Sequence, residues 1–318
     1  MEDENILLSI CIPTYNRAIF LQRLLESIIG QDFYDNKIIE IIICDNKSTD
    51  NSIAMIKEYV EKYKNIRYYV NDYNIWADRN IFKAMWLWKW KYIRAMWDDD
   101  VIINWWLKEI IDIIKKDKPY LILSEHIPIH DSNKWLSFAY DLERKKLYKG
   151  EPHISFVWLS NFISFIAKKR GNCAAIFTFI SIFCFERKKF MKSRKDLTKK
   201  YSEEYLENHI FNVPFCVYNW LDDHKRITFI QNHIIAQWMP PLSWLHFYNR
   251  KILKDMRDVL KDISLKINYK FKRFFVKIYI GILIMYISPF FIRILKKIGM
   301  YRYFSFLRRR FILRNLYE

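Results

Sequence analysis

Three consecutive aspartates, Asp98-Asp99-Asp100, close the apolar stretch 92–97 and are followed at once by Val101-Ile102-Ile103. Adjacent like charges are costly to hold unless something positive sits among them. A hard divalent cation, which takes carboxylate oxygens and leaves room for substrate phosphates, supplies such a charge. The alternative is an acidic turn in solvent. Which of the two holds depends on where the chain places the triplet.

The surrounding pattern places it. Residues 7–12 form an apolar run stopped by Pro13, as in a buried strand entering a loop. Phe20, Leu21, Leu24, Leu25 and Ile28 recur at helical spacing within 18–29, and a nearly continuous isoleucine run at 38–44 ends at Asp45. The pattern then predicts a helix at 52–63, a strand at 66–70, a helix at 81–90, a strand at 92–96, a helix at 106–116 and a strand at 120–124. Such alternation, with strands apolar on both faces, predicts an α/β fold: a parallel sheet covered by helices on both sides. Ligands of these sheets bind beyond the carboxyl ends of the strands. Three polar clusters fall there: Thr14-Tyr15-Asn16-Arg17, Asp45-Asn46-Lys47 and the three aspartates. Their convergence predicts an active site and favours the metal reading over the acidic turn. Residues 125–250 are less regular, with a basic stretch at 187–200, and are read as the completion of the domain and an acceptor-binding region.

The formal net charge of +18 calls for an anionic partner. Five cysteines without a CxxC pair read as buried free thiols of a reducing compartment. The acidic start, Met1-Glu2-Asp3-Glu4, is not expected to act as a secretory signal. His126, His130, His233 and His246 show no metal-binding spacing. From residue 251 the character changes. An uncharged apolar centre at 278–292, interrupted by Pro289, lies between Lys277 and Arg293. It is shorter than the roughly 20 residues of a spanning helix. Lys270, Lys272, Arg273, Lys296, Lys297, Arg302, Arg308, Arg309 and Arg310 surround it, interleaved with aromatics. This pattern predicts an amphipathic helix pair lying in an anionic membrane surface, with a buried C-terminal helix as the alternative. A nucleic-acid groove would not need the apolar centre, so nucleic acid is not an expected partner.

The segments Ser9-Ile10-Cys11-Ile12-Pro13-Thr14-Tyr15-Asn16-Arg17, then 43–52, then Asp98-Asp99-Asp100, resemble a family 2 glycosyltransferase of GT-A fold, in its abequosyltransferase-like bacterial branch. The resemblance covers about residues 6–125 well and the middle region weakly. It implies a GT-A domain over 1–250, its nucleotide-binding part about 6–125 and its acceptor part about 126–250, followed by a membrane-associating tail at 251–318. It also implies sugar transfer from a nucleotide-diphosphate donor to a glycan or lipid-linked acceptor, on the cytoplasmic face of the plasma membrane. Mg²⁺ or Mn²⁺ would be held at Asp99 and Asp100, which match the metal and ribose positions of the family's DxD-type motif, with Asp98 beside the donor. Asp45 matches the aspartate that meets the nucleobase, and Pro13, Thr14 and Tyr15 form the loop next to it. Arg79 is positioned to reach base or phosphate. Among Glu203, Glu204 and Glu207, the last two are the expected candidates for the base that deprotonates the acceptor, with Asp131 a further candidate. A nucleotidyltransferase also combines carboxylates, metal and an α/β sheet, and a membrane-bound binding protein with a decayed site is the non-enzymatic alternative.

Glycine is scarce. The chain has 5 glycines and 12 tryptophans, where ordinary composition would give roughly 22 glycines. In the resembled family glycine is common at the positions of Trp76, Trp90 and Trp97, and a small residue is common at Trp105-Trp106. Trp86, Trp88 and Trp90, spaced by two, fit no helical face. We expect most of these tryptophans to be UGA codons that the source organism reads as glycine; a tryptophan-rich protein is the alternative.

Overall fold

The computed structural model describes residues 6–31, 33–86, 91–103, 106–129, 153–158, 161–162, 165, 179–208, 212–219 and 225–238. The chain divides into two compact units, Met1–Leu159 with Phe179–Pro240, and Ser160–Thr178 with Pro241–Glu318. Nearly all described residues belong to the first. The expected tail at 251–318, Trp88, Trp90, Trp105, Cys173 and Asp131 lie outside them.

The first unit opens with β1 (Leu8–Thr14), α1 (Ala18–Ile29), β2 (Ile39–Asp45), α2 (Ser52–Lys62), β3 (Ile66–Val70), α3 (Ala77–Trp86) and β4 (Tyr92–Ala95). Every residue of β1 and β2 is buried, which explains why their sequences are apolar without alternation. Glu40, near the start of β2, sits opposite Ser9 and accepts its hydroxyl at 2.5 Å. α1 turns Leu21, Leu24, Leu25 and Ile28 into the core, the spacing that marks it as a helix. Asp50 joins the starts of two helices: its carboxylate accepts from the Ala18 amide of α1 at 3.1 Å and the Ser52 amide of α2 at 3.0 Å. Each contact satisfies an amide that the first turn leaves unpaired.

The chain continues through β5 (Val101–Ile102), α4 (Trp106–Asp117), β6 (Leu121–Ile129), β7 (His153–Phe156), a 3₁₀ turn at Ile180–Ile182, β8 (Phe183–Glu186), α5 (Arg187–Leu197), α6 (Glu203–Glu207), α7 (Asn212–Asn219) and β9 (Ile227–Trp238). The sheet order is β3-β2-β1-β4-β8-β6-β9-β5, with β7 paired to β9. β3, β2, β1 and β4 are mutually parallel. The expected parallel arrangement holds from β3 to β4, and beyond β4 the sheet is mixed. There β8 inserts antiparallel between β4 and β6, setting Phe185 opposite Ile93 and Cys184 opposite Ile122. Hydrophobic periodicity reports that a strand is buried, not which strand lies beside it. Helix α3 also starts earlier than expected, at Ala77. Cys11, Cys44, Cys184 and Cys216 are free and buried, as the sequence led us to expect.

Candidate active site

Because β1, β2 and β4 run parallel, their carboxyl ends open on one side of the sheet. Thr14 ends β1 directly beside Asp45, the end of β2. β4 pairs with β1 only as far as Ala95 opposite Cys11, so the following turn folds back against the overhanging end of β1. Thr14 Oγ1 donates to Asp98 Oδ2 at 2.7 Å. One threonine therefore touches both neighbouring carboxylate clusters. The three polar clusters predicted from the sequence meet in space.

Each aspartate has a distinct setting. Asp98, 2% exposed, also accepts from Arg17 Nη1 at 3.1 Å, and the same nitrogen donates to Asp99 Oδ2 at 2.6 Å. Burial pushes the Asp98 carboxyl up to about 6, against the pull of Arg17. Burial likewise raises Asp99, again opposed by Arg17. Asp100 is 1% exposed and its Oδ2 has no hydrogen-bond partner; burial and then the Asp99 charge hold its carboxyl well above the usual range. On the far side of the turn, the Trp97 amide donates to Ser181 Oγ at 2.9 Å. Behind it Arg94 is fully buried, its guanidinium 4.3 Å over the Trp106 ring and donating to Ser124 Oγ at 3.2 Å. Burial pushes Arg94 down to about 9, so it stays charged at neutral pH.

Asp45 is buried. Its Oδ2 accepts from the Ser48 amide at 2.8 Å, while Oδ1 has no partner. A network of asparagines holds this loop. Asn71 Nδ2 donates to Asn46 Oδ1 and Asn80 Oδ1 at 2.9 and 2.8 Å, Asn80 Nδ2 donates to the Cys44 carbonyl at 2.8 Å, and Lys83 Nζ donates to Asn71 Oδ1 at 2.7 Å. The loop after β1 is tied to it as well, since Asn16 Oδ1 accepts from the Thr49 amide at 2.7 Å and the Asn16 amide donates to Ser48 Oγ at 2.8 Å. Pro13 is buried beside Asp45, and Tyr15 is exposed at the rim.

The remaining predicted residues lie on α3 and α6. Arg79, in the first turn of α3, has its Nη2 3.8 Å from Glu204 Oε1. Glu203 and Glu207 both face Arg194, which also lies over the rings of Phe82 and Trp86 at 4.2 and 5.0 Å. Glu204 is the outward one of the three, its side chain 79% exposed. Sequence reading assigned no role to Arg17, Ser48, Asn71, Asn80 or Ser181. Arg17 had a signal: it is a basic residue inside a strand-end cluster, where adjacent aspartates need a positive charge. The others carried none, because single serines and asparagines are ordinary in turns and loops.

The order of the strands, the parallel half-sheet and the acidic turn after β4 define a GT-A-type α/β domain. The profile described as glycosyl transferase family 2 matches residues 9–192, and the chain belongs to that family. It is 40% identical over 98 residues to abequosyltransferase RfbV of Salmonella typhimurium, a match covering 30% of this chain and 29% of the relative. The match thus spans less than a third of that relative's length. In structure it is similar to Staphylococcus aureus TarS 1-349 in complex with UDP-GlcNAc, with a TM-score of 0.60 and 14% identity over 89% of this chain and 73% of the other. It is also similar to the mannosyltransferase PcManGT of Pyrobaculum calidifontis in complex with GDP-Man and Mn²⁺, with a TM-score of 0.56 and 11% identity over 99% and 88%. At these identities the structural likenesses establish the fold.

Proposed function

We propose that this chain transfers a sugar from a nucleotide-diphosphate donor to a glycan or lipid-linked acceptor in the synthesis of a surface polysaccharide. It would work at the cytoplasmic face of the plasma membrane, held there peripherally by the tail at 251–318. The observation that carries the reading is the convergence on Thr14. Asp45 and the Asp98–Asp100 turn flank the end of β1, and each side keeps one buried carboxylate oxygen without a partner, Asp45 Oδ1 and Asp100 Oδ2. Buried acceptors left open are expensive unless a ligand completes them.

Asp45 Oδ1 is suited to accept an N–H of the nucleobase, with Pro13, Thr14 and Tyr15 forming the wall beside it. Arg79 would reach base or phosphate on giving up its long contact to Glu204. Asp99 and Asp100 would hold Mg²⁺ or Mn²⁺, with Asp98 beside the donor. These donors are all carboxylate oxygens, which suits a hard cation. Among the described residues no group of three or more His, Cys, Asp or Glu side chains is arranged to hold a metal. Phosphates and waters would complete the shell, as is usual for Mg²⁺. When bound, the cation stabilises negative charge growing on the diphosphate leaving group. In an inverting transfer Glu204 takes the proton of the acceptor hydroxyl; the acceptor oxygen bonds to the anomeric carbon, the bond from that carbon to the diphosphate breaks, and the nucleoside diphosphate leaves. Glu204 is preferred to Glu207 because Glu207, like Glu203, faces Arg194.

The test is turnover of a panel of nucleotide sugars with Mn²⁺. Asp99→Asn should lower kcat by about 10²-fold or more, the scale of losing transition-state charge stabilisation. Asp45→Asn should act mainly on KM for the donor. Glu204→Gln should slow transfer to the acceptor while leaving donor binding intact. Failure to turn over any donor would sink the reading.

A further inference from the structure

The acidic turn needs a positive charge even when no donor is present, and the fold draws one from its own chain. Arg17 Nη1 lies 3.1 Å from Asp98 Oδ1 and 2.6 Å from Asp99 Oδ2, so a single nitrogen serves both carboxylates. Thr14 fixes the other oxygen of Asp98. Arg17 is the N-cap residue of α1 and makes no side-chain cap. Its side chain is also the most exposed of the trio, 22% against 3% for Asp98 and 13% for Asp99. The other nearby cation, Arg94, is sealed over Trp106 in the core. Of the two arginines, Arg17 is the one whose side chain reaches solvent.

We propose that Arg17 is the exchangeable counter-ion of this site: it bridges Asp98 and Asp99 in the empty enzyme, and releases them to donate to the donor's diphosphate in the loaded one. The inference rests on the glycosyltransferase reading above. Its chemistry follows from the groups present. A guanidinium matches carboxylate and phosphate oxygens with the same planar fork. Held at 2.6 Å from Asp99, it is already beside any diphosphate that a cation on that carboxylate would coordinate. While it stays, it competes with a divalent cation for the same oxygens. Metal alone therefore binds weakly, and metal with diphosphate binds well, because the diphosphate offers Arg17 a new partner. The consequence is positive coupling between the two ligands, set by one residue. The unpartnered Asp100 Oδ2 remains beside them as an acceptor that Arg17 does not fill.

Two titrations of the full chain test this. Mn²⁺ binding is followed by electron paramagnetic resonance, and inorganic pyrophosphate binding is followed by equilibrium dialysis at fixed Mn²⁺. Arg17→Gln should bind Mn²⁺ alone at least tenfold more tightly than the wild type, and pyrophosphate at least tenfold more weakly. Opposite signs separate this role from a structural one, which would weaken both. Arg17→Lys keeps the charge without the fork, so its Mn²⁺ affinity should stay near wild type while pyrophosphate binding falls part of the way. Added Mn²⁺ should also raise the melting temperature of Arg17→Gln more than that of the wild type, which shows that the variant is folded. Mn²⁺ binding that is unchanged or weaker in Arg17→Gln, yet still abolished by Asp99→Asn, would overturn the counter-ion role alone. Mn²⁺ binding absent from both proteins, or indifferent to Asp99→Asn, would overturn the metal-site reading with it.

Discussion

Trp76 holds a backbone φ of 71° and is 69% exposed. For a bulky side chain this left-handed conformation costs roughly 1–2 kcal/mol, and the exposed ring recovers little of it by packing. The loop imposes the conformation: the Trp76 amide donates to Asn74 Oδ1 at 2.9 Å, and Asn74 in turn accepts from Asn46 Nδ2 at 2.8 Å beside Asp45. Trp76→Gly should therefore raise unfolding free energy by about 1 kcal/mol in urea titrations, and a loss of stability would contradict this. The same position bears on the glycine deficit. A UGA codon at 76 would make the natural residue the glycine that the backbone calls for, and a UGG codon would show the tryptophan to be real. Trp106 is a different case. It is fully buried beneath Arg94 with no positive φ, and the backbone there has no need of glycine.

At the scale of elements, α4 and β7 meet through an incompletely satisfied pair. Glu109 Oε1 on α4 is buried without a hydrogen bond and lies 3.6 Å from His153 Nδ1 on β7. Burial pushes the Glu109 carboxyl up to about 7 from its ordinary 4.5. Between those two values the folded chain holds a proton that the unfolded chain has released. Stability should therefore fall as pH rises through that window and level off above about 7. Glu109→Gln should remove this slope and be more stable than the wild type by about 2 kcal/mol at pH 8, with little difference at pH 4.5. Equal slopes in denaturation series from pH 4.5 to 8 would refute the assignment. Arg194 joins α3, α5 and α6 by lying over the rings of Phe82 and Trp86 while facing Glu203 and Glu207. Glu204, between them in the chain, is turned outward and faces Arg79 instead.

For the whole molecule, the net charge of +18 and the basic, aromatic tail bear on where the proposed reaction would occur. Among the described residues no helix is long and apolar enough to cross a membrane, and the proposed attachment is peripheral. Replacing Arg308, Arg309 and Arg310 by glutamine in the full chain should weaken sedimentation with anionic vesicles more than tenfold, at about 1 kcal/mol for each charge. Neutral phosphatidylcholine vesicles should show no such difference. Wild-type binding should also weaken as salt rises. Binding indifferent to salt and to these substitutions would rule out an electrostatic anchor.

Order along the chain was enough to determine the first half-sheet and its strand-end clusters. Buried strands such as 38–44 carry no alternation, helices such as 18–29 carry a 3.6-residue repeat, and parallel strands necessarily point their carboxyl ends the same way. Thr14, Asp45 and the three aspartates were legible for that reason. The insertion of β8 beside β4 was not, since it pairs Ile93 with Phe185 and nothing local encodes a partner so distant. The same limit applies to charge. Sequence alone showed that Asp98-Asp99-Asp100 would need a cation if held together away from solvent, and offered a metal ion. Only the tertiary structure brought Arg17 across to meet them, because an ion pair is decided by distance in space and burial, not by separation along the chain.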